Sequence, residues 1–132
     1  MKTDRRDLDF SSQRFGDIAF TLIGHKDAAL KGKVTIVHIR HPAHCAHPSV
    51  MHKKTRELLV AISGTAKACI GRRRVLLRRG AVVDIPPGTW HSFHAGRLGV
   101  EALSIFVPAM SEKNADVFVR QAVPSPKKHG RS

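Results

Sequence analysis

The sequence predicts an all-β fold, either a sandwich or a closed barrel. At least six segments with the composition of β-strands follow one another between residues 34 and 107, at short and regular spacing. The segments between them show no helical pattern of convincing length, and most runs end at glycine or proline residues that are typical of turns. With 132 residues and 42% hydrophobic content, the chain can form one hydrophobic core, and we expect a single domain.

Each predicted strand depends on a local pattern. Residues 34–41 are rich in β-branched side chains and stop at Pro42, which cannot donate to a sheet. Residues 57–62 form an apolar run that ends at Ser63 and Gly64 and is too short for a typical helix. The remaining predicted strands follow the same rules and lie at residues 65–70, 73–80, 81–85, 90–93 and 100–107.

The strand pattern divides the chain into a core and its flanks. Residues 34–108 are predicted to form the barrel core, and residues 1–33 an N-terminal segment that supplies an extra edge strand. Residues 109–123 are expected to form a last strand or a short helix. Residues 124–132 contain two prolines and a charge cluster, which predicts a disordered basic tail.

Basic residues are in large excess. The chain has 23 Lys and Arg against 10 Asp and Glu, a formal charge of +13, which raises the question of nucleic acid or another polyanion as a partner. Much of the excess lies in the tail and in a hairpin that contains Arg72, Arg73, Arg74, Arg78 and Arg79. Aromatic residues do not alternate with these arginines, so a solvated charged face is the stronger expectation for the hairpin.

Other features predict a soluble protein with reduced thiols. No run approaches the roughly 18 to 20 apolar residues of a membrane span. The N-terminal residues include Asp4, Asp7 and Asp9 where a signal peptide would be apolar. Cys45 and Cys69 lie 24 positions apart, without the spacing of a disulfide scaffold or a thiol metal site. We therefore expect a cytoplasmic protein.

Two segments carry the chemistry. The runs HKKTRELLVAISG at 52–64 and GAVVDIPPGTWHSFHA at 80–95 resemble the two sequence motifs of the cupin superfamily. The matching positions are His52, Glu57 and Gly64 in the first motif and Gly80, Pro86, Gly88 and His91 in the second. The resemblance covers roughly residues 34–108 and implies a double-stranded β-helix, or jelly-roll, barrel. It also implies a divalent metal ion in the barrel.

The resemblance implies that His52, Glu57 and His91 bind this metal ion, which we expect to be zinc, iron, manganese or nickel. Two imidazoles and a carboxylate are also the ligand set of several catalytic zinc and non-haem iron sites. A typical cupin site has three histidines and one glutamate, but Val50 occupies the place of the first motif histidine. One ligand is therefore missing or supplied from elsewhere, and His47 is the candidate for a fourth ligand.

The other histidines and aromatic residues near the motifs are interpreted as structural. His94 is an odd number of positions from His91, so on a regular strand it lies on the opposite face. Three more histidines are expected at exposed or partly buried strand ends: His38, His41 and His44. Two aromatic residues are expected in the core or at the pocket rim: Trp90 and Phe93.

The strand at 57–62 also predicts an assembly. After Glu57, both of its faces are apolar, with Leu59 and Ala61 on one face and Leu58, Val60 and Ile62 on the other. A strand with one solvated face does not have this composition. Either the N-terminal segment or a second subunit covers the outer face, and we expect a homodimer.

Three functions stay open at this point, and no residue is assigned a catalytic role. The first is a metal-dependent enzyme of the dioxygenase or isomerase type that acts on a small molecule. The second is a non-catalytic module that binds or senses a metal ion or a small anion. The third is polyanion binding through the arginine-rich hairpin. The chain contains no tyrosine, and the motifs offer no clear acid or base partner for catalysis.

Overall fold

The structure is a computed structural model that describes residues 2–6, 14–15, 17–111 and 116–121. Within these residues the chain forms ten β-strands and no helix. The strands are β1 (Lys2–Arg6), β2 (Arg14–Phe15), β3 (Ile18–Ile23), β4 (Thr35–His41), β5 (Ala46–His52), β6 (Arg56–Ile70), β7 (Arg73–Arg78), β8 (Val82–Ile85), β9 (His91–Val107) and β10 (Val117–Gln121). The all-β prediction is confirmed. The described residues contain no helix of the length and apolarity that a membrane span requires.

Two long strands organise the fold. β6 and β9 pair antiparallel along nearly their whole lengths, with register shifts between Ala61 and Ser63 and between Gly64 and Ala66. Register shifts of this kind are β-bulges, which bend the strands and increase their twist. The pair therefore curls over at its middle, and the two ends of each strand belong to two sheet halves that enclose a common interior.

Each half is completed by the remaining strands. In the first half, β9 pairs with β5 through residues 91–94, β5 pairs with β10, and β10 pairs with β1, while β7 pairs with the second part of β6. In the second half, β9 pairs with β4 through residues 100–106, β4 pairs with β3, and β3 pairs with β2, while β8 pairs with the first part of β6. All of these pairings are antiparallel.

The hydrophobic core lies between the halves. Alternate residues of β6 from Glu57 to Ala61 are buried, as the period of two in a strand requires. The largest buried cluster combines both halves and includes Leu59, Leu77, Ile85, Phe93 and Val100. A smaller cluster of Val50, Val117 and Val119 joins β5 to β10. The core thus surrounds the interior space and is continuous with its walls.

The observed strands differ from the predicted ones in an informative way. The predicted strands at 57–62 and 65–70 are the two parts of β6, and those at 90–93 and 100–107 are the two parts of β9. Gly64 permits a bend inside a strand because its φ of 73° is in the left-handed region. Glycine at this position therefore marks a bend, although its sequence context resembles the end of a strand.

The flanks also contribute strands. β3 lies in the N-terminal segment and pairs with β4 on one side and with β2 on the other. The segment 109–123 contains a strand, β10, which was one of its two predicted alternatives. The predicted disordered tail at 124–132 lies outside the described residues.

The arginine-rich hairpin has the predicted orientation. Val75 is partly buried and Leu77 is fully buried, so one face of β7 packs against the core. The five arginines of the hairpin are exposed. Polyanion binding by this face stays a prediction.

Candidate metal centre and cavity

Three side chains from the two sequence motifs meet in the interior. His52 is the last residue of β5, Glu57 the second residue of β6 and His91 the first residue of β9. The Gly88 N–H donates a hydrogen bond to the His52 carbonyl oxygen at 2.7 Å, so the turn before β9 is tied to the end of β5. Gly88 has a φ of 80°, which glycine adopts without a steric penalty. The two motifs are held together in space by this bond.

The Glu57 carboxylate lies between the two imidazoles. Its Oε1 is 3.3 Å from His91 Nε2 and 3.7 Å from His52 Nε2. Its Oε2 accepts a hydrogen bond of 2.7 Å from the Ser104 hydroxyl, which orients the carboxylate. The side chains are almost completely removed from solvent, since the exposed fractions of His52, Glu57 and His91 are 6%, 4% and 2%.

The hydrogen bonds of His91 determine which of its nitrogens faces Glu57 as an acceptor. His91 Nδ1 is 3.0 Å from the Thr89 carbonyl oxygen, which can only accept, so Nδ1 carries a proton and donates it. In a neutral ring Nε2 then has a lone pair, and this lone pair faces Glu57 Oε1 at 3.3 Å. Two acceptors in this arrangement require a cation between them, either a proton on His91 or a metal ion.

The pKa shifts apply to the metal-free protein, in which a proton lies between His91 and Glu57. Burial lowers the pKa of His91, but the hydrogen bond and the charge of Glu57 outweigh burial and raise it. Burial raises the pKa of Glu57, but His91, His52 and Ser104 outweigh burial and lower it to about 2. Burial lowers the pKa of His52, and the charge of Glu57 opposes this only in part. Glu57 is therefore an ionised carboxylate at neutral pH, which is the form that binds metal ions.

The donor atoms fit a divalent metal ion. Each of the three residues offers one ligand atom, and these atoms all lie within 4.8 Å of one another. Zinc ligands lie about 2.1 Å from the ion, so two ligands of one ion are at most about 4.2 Å apart. The Glu57 distances of 3.3 and 3.7 Å meet this limit. The structure thus brings the three predicted ligands together in a cluster that could hold a metal ion.

The cluster opens into a cavity of about 110 Å³ between the sheet halves. The walls are mostly apolar, with lining residues that include Ile39, Leu59, Leu77, Phe93, Phe106 and Met110. Among the described residues, the polar lining consists of four histidines and one glutamate, namely His41, His47, His52, Glu57 and His91. The cavity can therefore accept a small, mainly apolar molecule beside the cluster.

His41 is the main error of the sequence-based interpretation. It was expected at an exposed or partly buried strand end, but it is only 8% exposed and lines the cavity. It is the last residue of β4, and its side chain continues the inward series of Thr35, Val37 and Ile39. Period-two counting along this strand would have placed His41 with its apolar neighbours. His38 is partly buried and His44 is exposed, as expected.

His47 lies in the cavity with His41, at a ring-centroid distance of 5.8 Å. It is an odd number of residues from Val50, yet both side chains line the cavity, because a register shift between His47 and Val50 inserts one extra residue opposite β9. His47 is not among the three residues whose ligand atoms cluster within 4.8 Å. The structure places His47 beside His41, and a role as fourth ligand stays a prediction.

Val50 has a packing role that the sequence did not show. Its side chain is 4% exposed and packs against Val117 and Val119 of β10. In the pairing of β5 with β10, Val117 lies opposite His52 and Val119 lies opposite Val50. The position that corresponds to the first histidine of the cupin motif is thus occupied by a core residue that packs against β10.

The remaining candidates are not among the three clustered ligand residues. Phe93 is buried and lines the cavity, whereas Trp90 is partly buried with the Arg120 guanidinium 3.9 Å from its ring centroid. His94 is exposed, as its odd spacing from His91 predicts. Cys45 and Cys69 are free thiols, in agreement with the sequence.

Two cavity histidines, the buried His41 and the partly buried His47, make the stability of the metal-free protein depend on pH. Burial lowers the pKa of His41 and of His47 from 6.5 to about 4. Between these values the unfolded chain binds more protons than the folded protein, so we expect the free energy of unfolding to fall as the pH is lowered from 6.5 to 4. Each group contributes at most about 3 kcal/mol to this loss.

Chemical denaturation at several pH values measures this effect. We expect His41→Leu to flatten the dependence between pH 6.5 and 4, and His94→Leu, which changes an exposed histidine, to leave it as in the natural sequence. An unchanged slope in His41→Leu would show that His41 is not held neutral in the interior.

Comparison with known proteins relates this architecture to a large group of barrels. The sequence model described as "Cupin domain" matches residues 36–106. No curated protein matches the sequence of this chain significantly. Many solved structures match its fold.

Three of these structures illustrate the similarity. An uncharacterised protein with a double-stranded β-helix domain from Klebsiella pneumoniae has a TM-score of 0.64 at 16% identity, over 89% of this chain and 100% of that chain. The nucleoside dehydratase Pac13 from Streptomyces has a TM-score of 0.62 at 14% identity, over 88% and 81%. Oxalate decarboxylase from Lactobacillus farciminis has a TM-score of 0.63 at 19% identity, over 72% of this chain and 30% of that chain. At these identities the likeness establishes the fold alone.

Proposed function

The chain belongs to the cupin domain family, and on this basis we propose that it binds a divalent metal ion through His52, Glu57 and His91 and uses it in small-molecule chemistry. The observation that carries the proposal is the arrangement around Glu57 Oε1. Two imidazole nitrogens approach this oxygen to 3.3 and 3.7 Å in a site removed from solvent. The metal ion is zinc, iron, manganese or nickel.

The protein's own groups prepare the site. Ser104 and Thr89 orient Glu57 and His91 by hydrogen bonds, as partners of metal ligands commonly do. Three protein ligands leave coordination positions open to a molecule in the cavity. A bound metal ion would supply Lewis acidity or oxygen chemistry, and the apolar walls would exclude water from the reaction.

The reaction we propose is of the dioxygenase or isomerase type. The cavity beside the cluster supports an enzyme because it has room for a small substrate next to the open coordination positions. Two structures with this fold are a decarboxylase and a dehydratase by name, so the barrel is compatible with several reactions on small molecules.

Metal analysis of the purified protein is the direct test. We expect about one equivalent of metal per chain after incubation with zinc, iron, manganese or nickel, and a large loss in His52→Ala and His91→Ala. If the natural sequence binds none of these metals, the proposal fails and an organic ligand becomes the better explanation of the cavity.

A non-catalytic module is the second candidate, favoured by Val50. A cluster with one family ligand replaced by a core residue could bind a metal ion or a small anion without turnover. The metal-loaded protein should be screened with carbonyl, sugar and catechol compounds. Turnover that depends on the metal ion supports the enzyme, and metal binding without turnover supports the sensing module.

We also infer that the protein is a homodimer. The outer face of the first part of β6 presents Leu58, Val60 and Ile62, of which Ile62 is 36% exposed, and the adjacent Val82 of β8 is 64% exposed. A contiguous apolar face of this kind is characteristic of an interface between protein chains. A second copy of the chain would bury it.

We expect Val60→Lys to convert the dimer to a monomer in sedimentation or light-scattering measurements at micromolar concentration, because the lysine would be buried without a partner. Leu76→Lys is the matched control, since Leu76 is a 55% exposed apolar residue on β7, which does not pair with the first part of β6. A monomer for the natural sequence at this concentration contradicts the inference.

We place the protein in the cytoplasm. Its two cysteines are free thiols, which suits a reducing compartment. Fractionation of cells that express the protein would test this assignment.

A further inference from the structure

The cavity has two further polar side chains outside the three-residue cluster of His52, Glu57 and His91. His41 from β4 and His47 from β5 approach each other from the two sheet halves, with ring centroids 5.8 Å apart. Phe93 lies between this pair and the metal cluster. Its ring contacts His41, His47 and His91 edge-on, at centroid distances of 6.1, 5.9 and 5.9 Å. The cavity therefore has a polar group on each side of an aromatic ring.

His41 has a hydrogen-bonding atom that the protein leaves open. Its Nδ1 is buried and has no hydrogen-bond partner among the described residues, and the whole residue is 8% exposed. Buried nitrogens of this kind almost always have a partner, because a missing hydrogen bond in the interior destabilises the folded state. Since His41 lines the cavity, a rotation of its ring would present Nδ1 to a molecule in the cavity.

The chemistry of the surroundings restricts what this partner can be. Burial keeps His41 and His47 neutral at pH 7, because it lowers the pKa of each ring to about 4. Among the described residues that line the cavity there is no Lys or Arg. A carboxylate or phosphate next to His41 would thus be desolvated without a Lys or Arg partner, on the other side of Phe93 from the cation at the metal cluster. A hydroxyl group is neutral and can donate or accept, so it suits either tautomer of His41.

The size of the cavity limits the body of the ligand. A cavity of about 150 Å³ with apolar walls holds benzene in an engineered protein, and the present cavity has about 110 Å³. A single ring or a short branched chain is therefore the scale that fits, with the apolar part against Phe93.

We propose that His41 and His47 form a second subsite that binds the hydroxyl group of a small uncharged alcohol or phenol, whose apolar body lies against Phe93. This assignment rests on the proposed function for one point only, which is that the other end of the molecule faces the metal cluster. It names the substrate class as neutral hydroxylated compounds and excludes dianions and sugar phosphates.

Phenol, toluene and benzoate are suitable probes because they share one ring and differ in a hydroxyl, a methyl or a carboxylate group. We expect phenol to bind about five times more tightly than toluene, which corresponds to one neutral hydrogen bond, and benzoate to bind more weakly than phenol at pH 7. Saturating phenol should shift the imidazole ¹⁵N resonance of His41 Nδ1 in NMR spectra, and toluene should shift it less.

The variant His41→Leu should bind phenol and toluene equally, whereas His94→Leu, at an exposed position, should retain the preference for phenol. Equal binding of phenol and toluene by the natural sequence, a preference that persists in His41→Leu, or tighter binding of benzoate would each overturn the proposal. If His41→Leu does not fold, the ¹⁵N shift in the natural sequence decides the question.

The probes are measured on metal-free protein, because a bound zinc ion would bind the phenol oxygen or the benzoate carboxylate directly, and zinc binding is measured separately without probes. The two proposals are thereby tested independently. A protein that binds no zinc but prefers phenol through His41 contradicts the metal proposal and supports the subsite. A protein that binds zinc but shows no preference for phenol supports the metal site and overturns the subsite.

Discussion

Glu57→Gln is expected to reduce zinc affinity by at least about 100-fold, because it removes the only anionic ligand of the cluster. Changes to residues that only support metal ligands already reduce metal affinity by about 10-fold to 100-fold, and the loss of a ligand should exceed this. Glutamine has nearly the same shape, and its amide oxygen can still accept the hydrogen bond from Ser104. The fold of the metal-free variant should therefore be retained. Competition titration with a chelating dye measures the affinity.

Glu101→Gln is the matched control for this experiment. Glu101 also interacts with a histidine and a serine, since its Oε2 is 2.5 Å from His38 Nε2 and its Oε1 accepts a hydrogen bond of 3.1 Å from Ser63. It lies outside the cavity, so the same substitution should leave zinc affinity unchanged. Equal affinities for Glu57→Gln and the natural sequence would show that zinc binds elsewhere.

Glu57→Gln can also be tested in the metal-free protein. The pKa of His91 is raised by its hydrogen bond to Glu57 and by the charge of Glu57, both of which oppose the effect of burial. In Glu57→Gln the charge is absent, so burial should dominate and the pKa of His91 should fall. Titration of the imidazole resonances by NMR would detect this change in metal-free protein.

The sequence predicts the cluster because its information is local. Two motifs with fixed spacing contain His52, Glu57 and His91, and the structure brings one ligand atom of each within 4.8 Å of the others. The strand class was also predictable, since the run at 57–62 is apolar, too short for a typical helix and bounded by Ser63 and Gly64. These features require only a short window of sequence.

The rest of the cavity depends on contacts between distant residues. The position of His47 follows from a register shift opposite β9, which places Pro48 outside the pairing of both neighbouring strands. A strand that contains proline was not predicted there, because proline usually ends a strand. Period-two counting places His41 on the inward face of β4, but its burial at the very end of the strand also depends on β9 and on the opposite sheet half, which the residues around it do not specify.

Gly64→Ala is expected to destabilise the protein by at least about 4 kcal/mol, an exceptionally large effect for the addition of one methyl group. A Cβ atom at this position would lie 2.1 Å from the Gly99 carbonyl oxygen and 2.9 Å from the Gly99 carbonyl carbon. Both are backbone atoms, so no side-chain rotation can relieve the contact, and strands β6 and β9 would have to separate at their bend. The loss should appear as a large decrease in the denaturant midpoint.

Gly80→Ala separates this contact from the cost of the backbone conformation. Gly80 is also a motif glycine and has a φ of 88°, but a Cβ there would meet nothing within 4 Å. Its alanine variant should thus lose only the penalty for a left-handed residue, about 1 to 2 kcal/mol. Equal losses in the two variants would contradict close packing at the bend.

The bend also supports the cavity, so Gly64→Ala should change ligand binding as well as stability. A Cβ at Gly99 would lie 2.4 Å from the His41 carbonyl oxygen, so β6, β9 and β4 approach one another through Gly64, Gly99 and His41. Separation of these strands in Gly64→Ala should displace His41 more than Glu57, whose Oε2 is held by Ser104. In any folded fraction of Gly64→Ala, the preference for phenol over toluene should therefore decrease more than the affinity for zinc.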